Sequence, residues 1–457
     1  MARRGAAAAA LALCGGLLFG DVRGMARTER PTQRFPNVLV VTIDTLRADR
    51  VSAYGYRRPT TPHIDKLLAT GARFSQARTV EPLTQPALCS LWTSTPPHRH
   101  GATRNGLPLR RDATSAAHLL GRRGYDTAAF VGNWTLRNAI SGLGDHFERY
   151  EEVFTRKRWF GLFKGEATAE DLTDAALAWL KERDTASTRS PFLLWVHYVE
   201  PHAPYRLQER FASRLGISTG TEVSRSDRYD TEIAFADHHV GRLLAAIQAD
   251  PELAAQTLIV FAADHGESLG EHGYWGHGRN LHEPGLRIPL GFVWPGRIRP
   301  GTIEAPALNL DIASTLLGLA GMPVPQGFEG FDWSGVLRGT ADPPRQRTMW
   351  FQAHKGAVLS AQEAQEARRK GLLEVAVLSS PEMRKEIFRP GEAHSAVFNL
   401  LRDPGETHRP APPSAPSSTL QTWLTGLRKG LADADRLARI AISPEDAEAL
   451  RALGYAE

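Results

Sequence analysis

Apolar residues along this chain fall into short continuous runs, and each run ends abruptly in polar residues. Four runs cover residues 36–44 (PNVLVVTID), 126–133 (DTAAFVGN), 191–202 (PFLLWVHYVEPH) and 257–267 (TLIVFAADHGE). Between them lie stretches with helical spacing, such as SAAHLLGRRG, AEDLTDAALAWLKER and YDTEIAFADHHVGRLLAAIQAD. Continuous apolar strands that alternate with helices are typical of parallel sheets covered on both faces. The pattern predicts an α/β fold with a large, mostly parallel sheet sandwiched by helices.

The pattern changes after a linker at residues 339–347 (GTADPPRQR). Short strand-like runs follow at 348–354, 372–380, 385–388 and 396–401, and a helix is expected from about residue 420 to 440. The spacing of these runs predicts a small antiparallel sheet. We therefore expect a main domain at residues 35–338 and a smaller C-terminal α+β subdomain at residues 348–457.

The first 24 residues have the layout of an export signal. Four residues with two arginines (MARR) precede an uncharged run, GAAAAALALCGGLLFG. The run is short for a membrane span, so a cleaved signal peptide is expected, with an uncleaved membrane anchor at the N-terminus as the alternative. Either interpretation places the mature protein outside the cytoplasm, as a periplasmic, secreted or membrane-anchored protein.

The composition is that of a globular protein. Of 457 residues, 42% are hydrophobic and 23% charged, and the two cysteines, one of them in the leader, exclude a disulfide framework. The net charge is +5, but the arginines are scattered rather than gathered into a stripe, so no nucleic-acid partner is expected. A basic surface also suits anionic substrates.

Polar side chains follow three of the predicted strands directly. They are Asp44, the pair Glu200 and His202, and the pair Asp264 and His265, with His277 in the following loop. Ligands of open α/β sheets bind outside the carboxyl ends of the strands. A single Asp at a strand end is often only a helix cap, but three such clusters of oxygen and nitrogen donors favour a divalent metal ion, Zn, Mn or Ca.

The order of motifs along the chain resembles the sulfatase family of the alkaline phosphatase superfamily. The similar segments are VVTIDTLRADRVSAYGYRRPTTPHIDKLLATGARF, PHRHG, HYVEPHAPY, ADHGESLGEHG, HGRNLHEPGLRIPL, AVFNLLRDPGE and SPEDAEALRALGY. The resemblance covers nearly everything after the leader. It implies metal-ligand roles for Asp44, Asp264 and His265, and substrate contacts for His202 and His277. Glu200 would serve a second metal, orient His202 or be structural.

The nucleophile segment departs from the family pattern, in which Cys or Ser is followed by x-Pro-x-Arg and is converted to formylglycine. Alignment on Pro86 and on PHRHG places Thr84 at the nucleophile position and Leu88 at the position of the family arginine, while Cys89 falls outside the nucleophile position. Thr84 would then be a metal ligand as well as the nucleophile. Threonine lacks the CH2 that this conversion oxidises, so no formylglycine is expected. The family segment GKWHLG reads GNWTL here, and Thr45 replaces a second metal carboxylate.

The sequence thus predicts a metal-dependent hydrolase of sulfate or phosphate esters in which a metal ion activates the Thr84 hydroxyl. The alternatives are a phospho-headgroup transferase or phosphodiesterase of the same superfamily, and an inert protein that only binds anions. The expected substrate is a sulfated or phosphorylated glycan, lipid or small molecule. Cys89 is expected to be a packing residue, and Asp237 and His238 to lie on the solvated face of a helix.

Overall fold

The computed structural model describes residues 35–154, 156–158, 163–165, 167–186, 190–220, 222–356, 371–408, 414–435, 443, 447–448 and 451. The predicted signal or anchor at residues 1–24 lies outside them. Within these ranges, no helix is both long enough and apolar enough to cross a membrane.

The described strands begin with β1 Asn37–Ile43, β2 Ala72–Phe74, β3 Ala77–Arg78, β4 Asp126–Val131, β5 Arg149–Glu152, β6 Arg156–Arg158, β7 Phe163–Gly165, β8 Phe192–Tyr198 and β9 Thr257–Ala263. They continue with β10 Ser268–Leu269, β11 Trp275–Gly276, β12 Leu290–Val293, β13 Gly301–Ile303, β14 Ala307–Leu308, β15 Arg347–His354, β16 Leu372–Ser380, β17 Arg384–Phe388 and β18 Ala396–Asn399.

The described helices are α1 Pro62–Leu68, α2 Thr84–Thr93, α3 Pro97–His100, α4 Ala116–Arg122, α5 Asn138–Ser141, α6 Ala169–Thr185 and α7 Glu209–Ala212. They continue with α8 Arg225–Gln248, α9 Pro251–Gln256, α10 Glu283–Leu286, α11 Asp311–Leu319, α12 Ser334–Leu337 and α13 Ser418–Asp435.

The large sheet has eight strands in the order β13-β2-β12-β9-β1-β8-β4-β5. The central strand β1 runs parallel to both β8 and β9, and β4 runs parallel to β8. Every residue of β1, β8 and β9 is buried, which is why these strands read as continuous apolar runs. The predicted mostly parallel sheet is confirmed, with one strand, β12, antiparallel to its neighbours β9 and β2.

The C-terminal part forms the predicted small antiparallel sheet, in the order β15-β16-β17-β18. Its inner face carries Met349 and Phe351, which share a hydrophobic cluster with Leu281 and Leu286 from the region of α10 and with Val80. The small sheet therefore packs against the segments that lead into α2 and α10. Residues 35–457 belong to one compact unit, and the domain boundary at the linker stays a prediction.

One polar residue of α8 contradicts its sequence interpretation. Asp237 is fully buried, and its carboxylate accepts hydrogen bonds from the backbone N–H groups of His63 (3.1 Å) and Ile64 (2.9 Å) at the start of α1. Burial raises the pKa of this carboxyl to about 7. The expectation of a solvated face was wrong for Asp237, because helical spacing does not show that a polar residue serves a neighbouring helix.

Candidate active site

Two neighbouring strands deliver to one edge of the sheet three side chains that could hold a metal ion. Asp44 follows β1, and Asp264 and His265 follow β9, its parallel neighbour. His265 Nε2 lies 3.8 Å from Asp44 Oδ1 and 3.5 Å from Asp264 Oδ2. All three side chains are fully buried, and one donor atom of each lies within 4.8 Å of the others. The predicted convergence of these residues is thus seen in the fold.

Hydrogen bonds orient two of these side chains. Asp264 Oδ1 accepts from the backbone N–H groups of Thr45 (3.1 Å) and His265 (2.7 Å). His265 Nδ1 lies 2.8 Å from the Gly266 carbonyl oxygen, to which it can only donate, so the lone pair of the neutral ring is on Nε2. Within the described residues, the other Asp264 oxygen, Oδ2, has no hydrogen-bond partner although it is buried.

The electrostatics of the cluster favour a cation. Burial raises the pKa of Asp264 to about 6, and burial, together with the nearby His277, lowers that of His265 to about 3. Two carboxylates beside a neutral imidazole gather negative charge in a buried place, where a cation stabilises it. The residues therefore fit a divalent metal ion, with Asp44, Asp264 and His265 as the side chains that would hold it.

Thr84 is the hydroxyl that lies at this cluster. It is the first residue of α2, it is fully buried, and its Oγ1 lies 3.2 Å from His265 Nε2. Cys89 instead lies in the hydrophobic core, and burial raises the pKa of its thiol well above the usual range. Leu88, at the position of the family arginine, is also in this core.

Asn133 contributes a contact that the sequence did not predict. It follows β4, and its amide nitrogen donates a hydrogen bond to Asp44 Oδ2. The backbone N–H and the hydroxyl of Thr135 both donate to Asn133 Oδ1, at 2.9 and 2.7 Å, which fixes the orientation of the amide. The substituted GNWTL segment therefore supports Asp44, and its position after a parallel strand was the available signal.

His197 lies beneath the site inside β8 and was also missed, because it interrupts an apolar run without any motif. The Trp195 indole N–H donates to Thr42 Oγ1 at 2.9 Å, and Thr42 Oγ1 is hydrogen-bonded to His197 Nδ1, 2.8 Å away. The other nitrogen, Nε2, faces Asp44 Oδ2 at 3.8 Å. Burial lowers the pKa of His197 to about 4, so the ring is neutral.

The outer part of the site is a cleft of about 600 Å³ whose lining includes His202 and His277. The two rings lie 5.2 Å apart, and the His277 ring lies 4.5 Å from that of His265. His277 Nδ1 is 3.0 Å from Glu267 Oε1, and the hydroxyl of Tyr205 donates to Glu267 Oε2 at 2.8 Å. Burial opposes protonation of His277, but the charge and hydrogen bond of Glu267, together with the charge of Asp264, outweigh it and raise the pKa. Glu267 was not predicted, although it ends the ADHGE motif.

Glu200 contacts the start of a helix. Its Oε2 accepts a hydrogen bond from the backbone N–H of Ala169 at 2.9 Å, at the first residue of α6. This contact is the structural role that the sequence left open, and Glu200 does not belong to the group formed by Asp44, Asp264 and His265. A metal-ligand role for Glu200 stays a prediction.

The fold and the site define the class of this protein. A helix-covered, mostly parallel sheet with two carboxylates, an imidazole and a hydroxyl at its carboxyl edge is that of a sulfatase-like ester hydrolase. The model of the family described as Sulfatase matches residues 36–322, more than half of the chain. The chain belongs to the sulfatase family, and the resemblance seen in its motifs is confirmed.

Similar proteins and similar solved structures are consistent with membership of this family. The chain is 26% identical to arylsulfatase A of Homo sapiens over 448 residues, which covers 82% of this chain and 83% of that protein. It is 24% identical to an N-acetylglucosamine-6-O-sulfatase of Bacteroides thetaiotaomicron, covering 70% and 74% of the two chains. The phosphonate monoester hydrolase of Silicibacter pomeroyi shares the fold, with a TM-score of 0.62, 20% identity and coverage of 88% and 96%.

Proposed function

We propose that this protein hydrolyses sulfate esters, or phosphate esters of the same shape, with Thr84 as the nucleophile and without formylglycine. The observation that carries the proposal is the 3.2 Å distance between Thr84 Oγ1 and His265 Nε2. It brings a hydroxyl to the buried edge of the sheet where Asp44, Asp264 and His265 gather. Related proteins that act on sulfate esters, such as arylsulfatase A, support the substrate class.

Asp44, Asp264 and His265 would hold one divalent ion, and Ca, Zn and Mn all accept this mixture of donors. When bound, such an ion supplies positive charge that lowers the pKa of a nearby hydroxyl and attracts an anionic ester. Asn133 holds the Asp44 carboxylate in place through its hydrogen bond. The Gly266 carbonyl does the same for the His265 ring, since it fixes the hydrogen on Nδ1.

His277 and His202 act on the substrate side of the cleft. Glu267 keeps one hydrogen of His277 on Nδ1, and the raised pKa keeps a second proton on Nε2 for transfer. His202 Nδ1 donates to the Ala203 carbonyl at 2.7 Å, so its other nitrogen serves as a polar contact in the cleft. The two imidazoles thus supply a proton donor and a positioning group for the ester.

The reaction proceeds in two steps. Thr84 Oγ1 attacks the sulfur or phosphorus, its proton passes to solvent, and the alcohol leaves with the proton of His277 Nε2. A water molecule then attacks the threonyl ester and gives one proton to His277, while Thr84 Oγ1 leaves and takes a proton from solvent. The sum is one ester and one water converted to an alcohol and a free acid, with the enzyme restored.

The test compares Thr84→Ala and Thr84→Ser with Thr93→Ala, a matched control that removes a buried hydroxyl from the other end of α2. We expect Thr84→Ala to lower kcat for nitrophenyl sulfate or phosphate by about a thousandfold or more, because the nucleophile is lost. Thr84→Ser should keep measurable turnover, and Thr93→Ala should stay within about threefold of wild type. Mass spectrometry should find an unmodified threonine at position 84 and, in trapped samples, a sulfo- or phospho-threonine there.

A Thr84→Ala protein as active as wild type would refute the threonine nucleophile. Turnover of phosphodiesters without turnover of sulfate or phosphate monoesters would favour the phosphodiesterase or transferase alternative. No turnover by wild-type protein that has bound a metal would favour the inert, anion-binding alternative. Export through residues 1–24 belongs to the same proposal, and N-terminal sequencing of the mature protein tests it.

A further inference from the structure

The outer wall of the cleft is strongly basic and carries an exposed aromatic ring. Arg225 and Arg228, from the first turn of α8, line the same cleft as His202 and His277, and so does Trp275 of β11. None of these outer residues belongs to the metal-binding group or to the proposed proton transfer. The proposed reaction therefore does not use this wall.

The two arginines are not explained by ion pairs. No carboxylate lies within ion-pair distance of Arg225 or Arg228 in the described part of the chain, and Arg228 Nε donates only to the Val223 carbonyl at 3.2 Å. Asp227, between them, pairs with Arg58 at 2.6 Å instead. Both guanidinium groups thus remain available to an anion in the cleft.

Their place on the helix makes them more unusual. Arg225 is the first residue of α8 and Ser224 is its N-cap, so both arginines lie at the positive end of a 24-residue helix. Cations are disfavoured at this end, and anions are favoured there. The one acidic side chain that lines the cleft nearby, Glu267, is already engaged by His277 and Tyr205. Asp227, in the same first turn, is engaged by Arg58, so an anion from outside the chain would add balancing charge here.

Trp275 adds a flat apolar surface to the same wall. Its side chain is 47% exposed, and it lies two residues before His277. The Arg225 guanidinium carbon is 5.2 Å from the centre of the indole ring, so the arginine and the ring form one continuous surface. Such a surface suits a substrate ring that carries an anionic group at its side.

Resting on the proposed function of the site, we propose that this wall is a second anion site that selects dianionic ring esters. The ester group to be cleaved points inward to Thr84. The alcohol part is a ring that carries a second fixed negative charge, a carboxylate or a further sulfate, and this charge lies on Arg225 and Arg228 while the ring packs on Trp275. The substrate class is thus an acidic or multiply sulfated ring alcohol rather than a neutral one.

The test measures binding separately from turnover. The Thr84→Ala protein is titrated by calorimetry with nitrophenyl sulfate and with a nitrophenyl sulfate that also carries a ring carboxylate, and likewise with glucosamine monosulfate and disulfate. The same titrations are made after adding Arg225→Gln, Arg228→Gln or both. Arg242→Gln is the matched control, since it makes the same change on α8 about 26 Å from Arg225 and about 21 Å from Arg228 along the helix axis.

We expect the dianionic member of each pair to bind more tightly, and each arginine change to weaken its binding by about three- to tenfold. The preference should shrink in about 0.5 M salt, and Arg242→Gln should leave it unchanged. In wild-type protein the same preference should appear in KM rather than in kcat. Equal affinity for both members, or a preference that survives the double arginine variant, would overturn the second anion site.

These outcomes are separable from those of the proposed function. If the Thr84→Ala protein prefers dianions but the wild type hydrolyses none of the esters, the proposed reaction fails and the anion site stands. If the wild type hydrolyses monoanionic and dianionic esters with the same KM, the reaction stands and the anion site fails.

Discussion

A buried cluster of charges joins the small C-terminal sheet to the helix that follows the site loop. Lys385 of β17 lies 2.9 Å from Glu283 Oε1 and 2.8 Å from Glu406 Oε1, and Arg78 lies 2.8 Å from Glu283 Oε2. Lys385 is fully buried and Arg78 is 1% exposed. Burial opposes ionisation of Glu283, yet the two cations hold its pKa down at about 2. The pKa of Glu406 is lowered as well, although its burial opposes this, so both carboxyl groups favour the ionised form in the folded protein.

The change Lys385→Met replaces a buried cation by an uncharged side chain of similar length. Glu283 and Glu406 then each have one partner fewer. Each lost contact corresponds to about 4 kcal/mol of Coulomb attraction at 4 Å between charge centres and an effective dielectric constant of about 20. Part of this is offset because the lysine no longer has to be desolvated. Breaking a buried pair from one side costs about 3–5 kcal/mol in total, and that is the destabilisation we expect.

Urea unfolding, followed by tryptophan fluorescence, measures this loss. With an m value of about 3 kcal/mol per molar urea, the midpoint should fall by about 1 to 1.7 M. The matched control is Arg384→Met, the neighbouring residue of β17, which makes a looser and more exposed pair with Glu386 at 3.6 Å. It should cost less than about 1 kcal/mol. Adding Glu406→Gln to Lys385→Met should restore part of the stability. Equal urea midpoints for Lys385→Met and Arg384→Met would refute a larger contribution of the buried ion pairs to stability.

Three further predictions concern other buried groups. The folded pKa of Asp237 is raised to about 7, so its contribution to stability is present below about pH 4 and is lost as the pH rises to 7. Wild type should therefore lose a few kcal/mol of stability relative to Asp237→Asn over that range, measured by urea unfolding at each pH. Parallel curves of stability against pH for the two proteins would contradict this. Asn133→Ala should weaken metal affinity by about 10- to 100-fold, measured by metal titration, since Asp44 loses its orienting partner; unchanged affinity would remove Asn133 from the site. Cys89 is fully buried, so aromatic disulfide reagents should label it only after unfolding, and Cys89→Ala should keep its turnover; fast labelling of native protein would contradict the core placement.

Much of the fold could be predicted from local pattern. The central strands read clearly because burial on both faces demands unbroken apolar runs, and β1, β8 and β9 have them. The strands β2, β12 and β13 escaped prediction, because three or four residues are too few to show a period. Their places in the sheet depend on neighbours far away in sequence.

The site divides in the same way. Asp44 and Asp264, which lie at strand ends and in family motifs, were predicted to lie close together, because the carboxyl ends of parallel strands share one edge of the sheet. Asn133 was seen only as a departure from a motif, and His197 not at all, since a histidine inside an apolar strand carries no local signal. Their roles depend on contacts across 89 and 155 residues of sequence, with Asp44 and with Thr42.

The sequence by itself determined the class of fold and the order of its motifs, and it predicted Thr84 rather than Cys89 as the nucleophile, because these depend on burial patterns and on the register of a short segment. Only the tertiary structure decided which side chains meet. Thr84 and His265 are 181 residues apart in sequence, yet Thr84 Oγ1 and His265 Nε2 are 3.2 Å apart in space, because the start of α2 lies against the carboxyl end of β9. Asp237 shows the converse, because a residue that local spacing places in solvent is buried by the helix packed over it.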